Sequence, residues 1–550
     1  MKQYLGAAIG TCVHVGGIVN FLRLAEEEGH QTQFLGAAVS IEVLLKTIAV
    51  TQANVICIGY RLTPETVIPL LDQLQKAIEA DQELKALTWV FGGTKPVAEV
   101  AMGYDYFQKV FDGTEDLDDT IQYLRGSQLK RGAQRESENL IDRIRGKSPY
   151  PLLRHHFGLP SLEDTLQGVK AIAEAKVLDI ISVGPDQNTQ ENYFTPEKMN
   201  QAFNGAGGVP LRKKEDFEAL YHHAQTGNYP LLRCYSGTQE IFRFASLLQE
   251  ALHNAWCAVP LCWYNVLDGR GPRPVAQSIA EGQQLMKWHG AHHIPIEVNE
   301  AHHWSLRDAH DTIGVAMAFL GAYNAKKMGV GHYIAQYMFN VPPAMHHQMD
   351  LAKMLAKIQL IESLEDDTFT VYRQVRAGLA SLSADLDIAK GQLASSTYLA
   401  MAIRPHIIHV VGFSEADHAA RPEEVIESCK IVRGVVRSTL HGMVNMPEHP
   451  SVLQRKEELV REALYLLDTL KNLYPESPDP WSDPMVLSDA IQQGIIDAPH
   501  LRGNPHARGA LETRIIDGKC LAYDPQLRKP LTEAERLDQL LKPSREFETA

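Results

Sequence analysis

The sequence predicts an α/β protein: a doubly wound parallel sheet, then a (β/α)8 TIM barrel with a C-terminal extension. Three observations predict it. Short apolar runs alternate with helix-period patterns along most of the 550 residues. The runs lack the period-two polarity of half-wet strands, so both sheet faces are covered, as parallel sheets require. Polar residues gather just past the ends of the runs, where open α/β sheets and barrels carry their sites.

The first domain is placed at residues 1–127. Its strands are expected at 5–10, 34–39, 55–60, 89–93 and 110–113, and its helices at 18–28, 40–51, 65–80, 96–102 and 116–125. Residues 128–148 carry many charges and few large apolar side chains, and read as a partly helical linker. The barrel is assigned to 149–450, with strands at 152–158, 178–185, 230–236, 255–265, 294–304, 333–340, 370–377 and 407–414. Helical patterns separate nearly every pair, which is the count and size of a TIM barrel. Residues 451–550 form the extension. It holds a helix at 453–473, a Pro-rich break at 475–484, a hairpin at 513–523 around Asp517-Gly518, and a disordered tail from Lys542.

Composition narrows the function classes. A net charge of −14 without a basic stripe argues against a nucleic-acid partner. Seven scattered cysteines at positions 12, 57, 234, 257, 262, 429 and 520 form no disulfide framework or zinc spacing. They point to a reducing, cytoplasmic compartment. No apolar run reaches the ~18 residues needed to span a membrane. The opening apolar run is too short for an export leader and runs straight into His14 and a charged helix.

The segment Gly10-Thr11-Cys12-Val13-His14-Val15-Gly16-Gly17 lies between the first run and the first helix. A histidine there either caps the helix or ligates a metal, with one imidazole nitrogen coordinating and the other held by an acceptor. Read alone, the segment favours the cap. The barrel supplies the other candidates: Arg154-His155-His156, Arg233, Tyr264, His302-His303 and Glu415, all at strand ends. For Arg233, substrate binding is favoured over a structural ion pair.

Wider context changes the weight given to His14. Cys12-Val13-His14-Val15-Gly16-Gly17 resembles the Asp-x-His-x-x-Gly loop of the flavodoxin-like cobalamin-binding domain of B12-dependent mutases and methionine synthase. The similarity continues through Val39-Ser40-Ile41-Glu42, Phe91-Gly92-Gly93-Thr94-Lys95-Pro96 and Val110-Phe111-Asp112-Gly113-Thr114. The resemblance implies that His14 is the lower ligand of the cobalt. It also implies that Cys12 stands where the family's aspartate steadies the imidazole. Gly17, Ser40, Gly92 and Gly93 would leave room for the cofactor's nucleotide tail. A thiol is a weaker acceptor than a carboxylate.

From Pro151 onward the chain resembles the large subunit of glutamate mutase (methylaspartate mutase), an adenosylcobalamin-dependent carbon-skeleton mutase. The resemblance rests on Leu232-Arg233-Cys234-Tyr235-Ser236-Gly237-Thr238, on Trp263-Tyr264-Asn265 and on Gly494-Ile495-Ile496-Asp497-Ala498-Pro499. It implies Arg233 and Arg154 as two carboxylate-gripping arginines, with Tyr264 beside the substrate. No arginine is found near Thr189-Gln190, where the family has a third, and no glutamate near Pro260. The second tyrosine position falls on or near Asp268. The lysine that meets the adenosyl ribose falls on Gly412, with Glu415 and Asp417 close by, and Glu415 is taken as cofactor-binding. His302 and His303 are expected to hydrogen-bond the substrate or act as acid–base groups.

The expectation is therefore a radical isomerase fused to its own cobalamin domain. It would use adenosylcobalamin on a small anionic, carboxylate-bearing substrate other than glutamate, and would assemble as a homodimer. The alternatives are a corrinoid-dependent methyltransferase and a non-catalytic cobalamin carrier or sensor.

Overall fold

The computed structural model describes residues 2–115, 117–126, 137–235 and 239–542. Residues 128–136 of the expected linker, Ser236-Gly237-Thr238 and the tail beyond Lys542 lie outside the described residues. The chain forms two compact units, Met1–Gln134 and Arg135–Ala550.

In the first unit the strands are β1 (Gln3–Ile9), β2 (Gln31–Val39), β3 (Val55–Tyr60), β4 (Thr88–Gly93) and β5 (Phe107–Phe111). They form one parallel sheet in the order β2-β1-β3-β4-β5. Alternate residues feed two cores. Leu5, Ala7 and Ile9 pack with Leu44 and Leu71, whereas Tyr4 packs with Ile18, Leu22, Cys57 and Val90 on the opposite face. This is the doubly wound arrangement, and its strand order reverses between β1 and β3. β2 starts three residues before the expected 34, because Gln31-Thr32-Gln33 lies on an exposed edge and carries no apolar signal. Gly10 turns the chain out of β1 at φ +65°, and a Cβ there would strike Leu70.

The second unit contains all eight expected barrel strands: β6 (Leu152–Phe157), β7 (Ile180–Val183), β8 (Leu231–Arg233), β9 (Cys257–Val259), β10 (Ile296–Val298), β11 (His332–Phe339), β12 (Thr370–Ala377) and β13 (Ile407–Val410). Successive strands pair in parallel, and β13 returns to β6. The remaining seam, between β8 and β9, is bridged where the Ala255 N–H donates to the Leu232 carbonyl at 2.9 Å.

Inward side chains form layers. The lowest is apolar: Leu152, Ile180, Leu231, Trp256, Ile334, Tyr372 and Ile407. Leu140, Ile141 and Ile144 of the helix Leu140–Lys147 pack against this layer and plug the barrel floor. That helix lies within the segment read as a linker. One residue pair higher along the strands, the interior becomes polar.

Three departures from the expected boundaries have physical causes. β9 and β10 shrink to three residues each, because Pro260 ends one and a helical turn, Glu300–His303, follows the other. His302 and His303 thus sit on a helix rather than a strand. A helix at Lys214–Ala224 lies in the long β7–β8 connection, where none was expected. The Pro-rich break opens directly into a helix, Pro484–Gln493, with Asp483 as its N-cap. Proline is favoured at the first helical position, where its missing N–H costs nothing. The extension continues with a three-stranded antiparallel sheet, Thr513–Ile516, Lys519–Asp524 and Lys529–Leu531, and ends in the helix Glu533–Leu541.

Candidate functional site

In the first unit a cleft of about 660 Å³ opens beyond the carboxyl ends of β1, β3, β4 and β5. Its size falls in the usual range for small-molecule and cofactor sites. His14, Gly17, Ile18 and Phe21 form one wall, Tyr60 and Arg61 follow β3, Gly92 and Gly93 end β4, and Phe111 to Gly113 close the far side. The cleft therefore lies at the β1/β3 reversal, where sheets of this order place ligands.

His14 is exposed and does not cap the helix Gly16–Glu27, which starts after Val15 with no side-chain cap. Its Nδ1 lies 3.8 Å from the Cys12 Sγ, and no hydrogen bond occupies its Nε2 among the described residues. Cys12 itself is fully buried. The thiol is thus in the orienting position but is a weak partner.

The glycines divide by role. A Cβ on Gly17 or Gly92 would meet nothing within 4 Å, so these two leave open space in the cleft. A Cβ on Gly93 would lie 2.8 Å from the Tyr60 carbonyl, so Gly93 serves strand packing. Ser40 is corrected. It does not line the cleft, and its Oγ accepts the Val43 N–H at 3.2 Å as the N-cap of the helix Ile41–Val50.

In the second unit Arg154 and Arg233 converge, but on a residue that sequence reading did not single out. Glu297, at the centre of β10, accepts from the Arg233 Nη2, from Trp256 Nε1 at 2.9 Å and from Gln374 Nε2 at 2.8 Å. Arg154 Nη1 lies 3.6 Å from the same carboxylate. Arg154 also donates to Ser182 Oγ at 2.5 Å and to Gln374 Oε1 at 2.7 Å. Both guanidiniums lie over the Trp256 ring, 5.3 Å from its centroid. All three charged groups are buried. The expectation that these arginines stand ready for a substrate is therefore corrected: they form a buried ion network across the barrel. Burial alone would raise Glu297, but Arg233, Arg154 and the two hydrogen bonds hold it below the usual carboxylate range.

Above this network sits an imidazole layer. His156 follows Arg154 on the same strand face, and its Nε2 is 3.2 Å from Arg154 Nη2. The His156 and His409 rings stand 4.7 Å apart, as do those of His302 and His303. Tyr264 joins them, its ring 5.7 Å from that of His303. Burial, reinforced by nearby cations, holds His156, His302, His303 and His409 well below the ordinary histidine value, so they are neutral at pH 7. The Nδ1 atoms of His302, His303 and His409 are buried without a hydrogen-bond partner. Arg376, two residues beyond Gln374 on β12, enters the same layer and was not anticipated.

Two gaps in the arginine and glutamate pattern are filled from afar. Arg212 reaches Thr189 Oγ1 at 2.8 Å, where no arginine was found nearby in sequence, but it is paired with Asp186. Glu300 brings a carboxylate to the segment after Pro260. Its oxygens are engaged by the N–H groups of Leu261 and Cys262 and by Trp304 Nε1, at 3.0, 2.8 and 2.9 Å. Gly412 cannot carry a longer side chain unless His155 moves, since a Cβ would lie 2.7 Å from His155 Nε2. Glu415 Oε1 accepts the Gly412 N–H at 2.9 Å and lies 3.4 Å from the same His155 nitrogen. A second cleft, of about 710 Å³, opens beside the β9 and β10 loops, lined by Asp268, Arg270, His303, Arg307 and Asn504.

Among the described residues no three His, Cys, Asp or Glu side chains are grouped to hold a metal ion, and no helix is long and apolar enough to cross a membrane. No protein-family profile and no curated protein matches the chain. Among solved structures, the chain has 11% identity to the cobalamin-dependent S-adenosylmethionine radical enzyme OxsB with aqua-cobalamin and S-adenosylmethionine bound, at a TM-score of 0.18. The apo, selenomethionine-labelled OxsB structure also shows 11% identity, at a TM-score of 0.17. Each alignment covers 90% of this chain, which spans only 66% of the matched chain's length. Similarity at that level establishes neither family nor chemistry.

Proposed function

We propose that the chain is a cobalamin-dependent enzyme, specifically an adenosylcobalamin-dependent radical isomerase acting on a small carboxylate-bearing substrate other than glutamate. The observation that carries this reading is the cleft at the β1/β3 reversal, with a partner-free histidine nitrogen at its edge and two glycines that leave its interior open. The donor set fits a corrin. His14 would hold the cobalt through Nε2, with Cys12 behind Nδ1. Gly17 and Gly92 would admit the nucleotide tail. The charged residues of the lining, Arg61 and Lys95 against Asp112 and Glu115, balance, so the cleft itself carries no net charge.

When bound, adenosylcobalamin supplies a carbon-centred radical by homolysis of its cobalt–carbon bond. The barrel residues would bind and shield the substrate. The neutral imidazoles offer hydrogen bonds without titrating, and the Arg154–Glu297–Arg233 network fixes the floor beneath them. Glutamate is disfavoured because the Glu300 carboxylate, near the position expected to meet an amine, is already engaged by three donors.

The test is anaerobic reconstitution with adenosylcobalamin followed by electron paramagnetic resonance with a panel of small carboxylic acids. A coupled cob(II)alamin–organic radical signal with one acid supports the isomerase. Methyl transfer from methylcobalamin to a thiol, with no radical for any acid, supports the methyltransferase instead. The weak Cys12 contact favours that second reading in one respect, because a reduced corrin sheds its lower ligand. Corrin binding without either activity identifies a carrier.

A further inference from the structure

The cleft of about 710 Å³ beside the β9 and β10 loops shares no residue with the Arg154–Glu297–Arg233 network. Its volume suits a small molecule, and it opens past the carboxyl ends of barrel strands, where barrels carry their sites. Two guanidiniums in its lining are held in the same way. Arg270 lies over the Tyr264 ring, 4.0 Å from its centroid, and Arg307 over the Trp263 ring at 3.7 Å. They meet at one oxygen: Asp268 Oδ2 is 3.0 Å from Arg270 Nε and 3.6 Å from Arg307 Nη2. Arg307 Nη1 also donates to the His303 carbonyl at 3.0 Å. The Asp268 oxygens are further engaged by the N–H groups of Tyr264 and Asn265, at 3.2 and 3.1 Å. The carboxylates nearby are committed elsewhere: Glu300 to its three donors, Asp308 to His500 at 3.0 Å, and Glu281 to Arg273 at 2.6 Å.

Each guanidinium has five N–H donors, so one shared carboxylate leaves most of them without an acidic partner among the described residues. Burial holds Arg307 below the ordinary arginine value, Asp268 opposes that, and Arg270 alongside adds to it. The backbone is also strained on both flanks. Tyr264 has φ +66° and Asp308 φ +60°, and a left-handed conformation is costly for a tyrosine. Such positions cluster where a fold is built around a ligand. The C-terminal extension completes the cleft with His500, Leu501 and Asn504. Asn504 Nδ2 ties it to the barrel through the Leu267 carbonyl at 2.8 Å. His303 of the imidazole layer lines the cleft too, and its Nδ1 is buried without a hydrogen-bond partner.

We infer that Arg270 and Arg307 form a clamp for a carboxylate of the substrate, beside His303 at the edge of the imidazole layer. Planar guanidinium forks match the two oxygens of a carboxylate. Stacking on Tyr264 and Trp263 fixes both forks before a ligand arrives, which lowers the cost of ordering them. Val266, Leu306 and Leu501 give the rest of the ligand apolar contacts. The inference rests on the proposed function for the substrate class alone, and its test does not need the corrin.

The test uses the full chain without cobalamin and calorimetric titration with hexanoate, its uncharged amide hexanamide, and inorganic phosphate. Wild type should bind hexanoate saturably and at least tenfold more tightly than either of the others. Arg270→Gln and Arg307→Gln should each weaken hexanoate binding at least tenfold, and Arg270→Lys should retain part of it. Arg243→Gln, on the exposed side of the helix Ile241–Ala251, should leave it unchanged. A second readout uses the wild-type fold. The Arg270 side chain is 41% exposed and open to phenylglyoxal, and saturating hexanoate should slow its modification at least fivefold, read by peptide mass spectrometry. Four results would each overturn the inference: no saturable hexanoate binding by wild type, hexanamide or phosphate bound as tightly as hexanoate, unchanged binding in Arg270→Gln, or no protection of Arg270. Hexanoate binding that depends on both arginines, in a chain that forms no radical with any acid, would leave the clamp standing and remove the isomerase reading. A radical signal with a carboxylic acid that is unchanged in Arg270→Gln would keep the isomerase and remove the clamp.

Discussion

Replacing Glu297 by glutamine isolates the barrel network. The substitution keeps the size of the side chain and its ability to accept from Trp256 or Gln374. It removes the charge that neutralises Arg154 and Arg233 at buried positions. Removing one partner of a buried pair typically costs about 3–5 kcal/mol, because the charge left behind is uncompensated. Here two guanidiniums are left, so Glu297→Gln should destabilise the barrel by at least about 3 kcal/mol on that scale. Urea unfolding followed by tryptophan fluorescence reads this directly, since every tryptophan except Trp89 lies in the larger unit. The midpoint should fall with little change in slope. Removing the whole network, as in Arg154→Met/Arg233→Met/Glu297→Leu, should recover most of the loss, because apolar replacements of buried ion clusters are often neutral or stabilising. A loss below about 1 kcal/mol for Glu297→Gln, on the same scale, would refute the network as described. So would a triple variant less stable than the single.

Two further outcomes follow from the same geometry. His302, His303 and His409 are buried with folded values below 6.5, so the unfolded chain binds their protons first as pH falls. Stability should be fully present above pH ~6.5 and decline below it, by up to about 1.4 kcal/mol per pH unit per histidine. Flat urea midpoints between pH 7 and pH 5 would contradict this. In the cleft, Gly92→Val should leave the unfolding temperature unchanged and abolish hydroxocobalamin binding, because the added atoms enter open space. Gly93→Ala should instead lower the unfolding temperature, because its Cβ meets the Tyr60 carbonyl. The opposite pattern would overturn the assignment of roles to the two glycines.

The alternation of apolar runs and helices was legible because parallel strands are covered on both faces, so each reads as a continuous apolar run. Boundaries failed where a tertiary contact overrode local signal. Glu300 takes the N–H groups of Leu261 and Cys262, so the expected strand at 255–265 ends at Val259. Ser40 was misread as a cleft residue, although a serine directly before the helix-forming Ile41-Glu42 segment is an ordinary N-cap signal. Arg154 and Arg233 were correctly seen as important, but their job depended on Glu297. The clue was present: a carboxylate inside the apolar run Ile296-Glu297-Val298 needs a cation. Arg376 carried the same kind of clue, alternating with Gln374 along a buried strand. Arg212 and Glu300 could not be placed, because their partners lie 23 and 38 residues away in sequence.

The central claim is that His14 ligates the cobalt of a bound corrin. The most direct measurement is electron paramagnetic resonance of the full chain reconstituted with cob(II)alamin, prepared once with natural-abundance histidine and once with ¹⁵N-histidine. If His14 is the lower ligand, the three-line nitrogen splitting on the cobalt signal becomes two-line on labelling, and His14→Ala loses the protein-derived splitting. A three-line pattern that persists in the labelled protein would show that the cofactor keeps its own base, and would contradict the account.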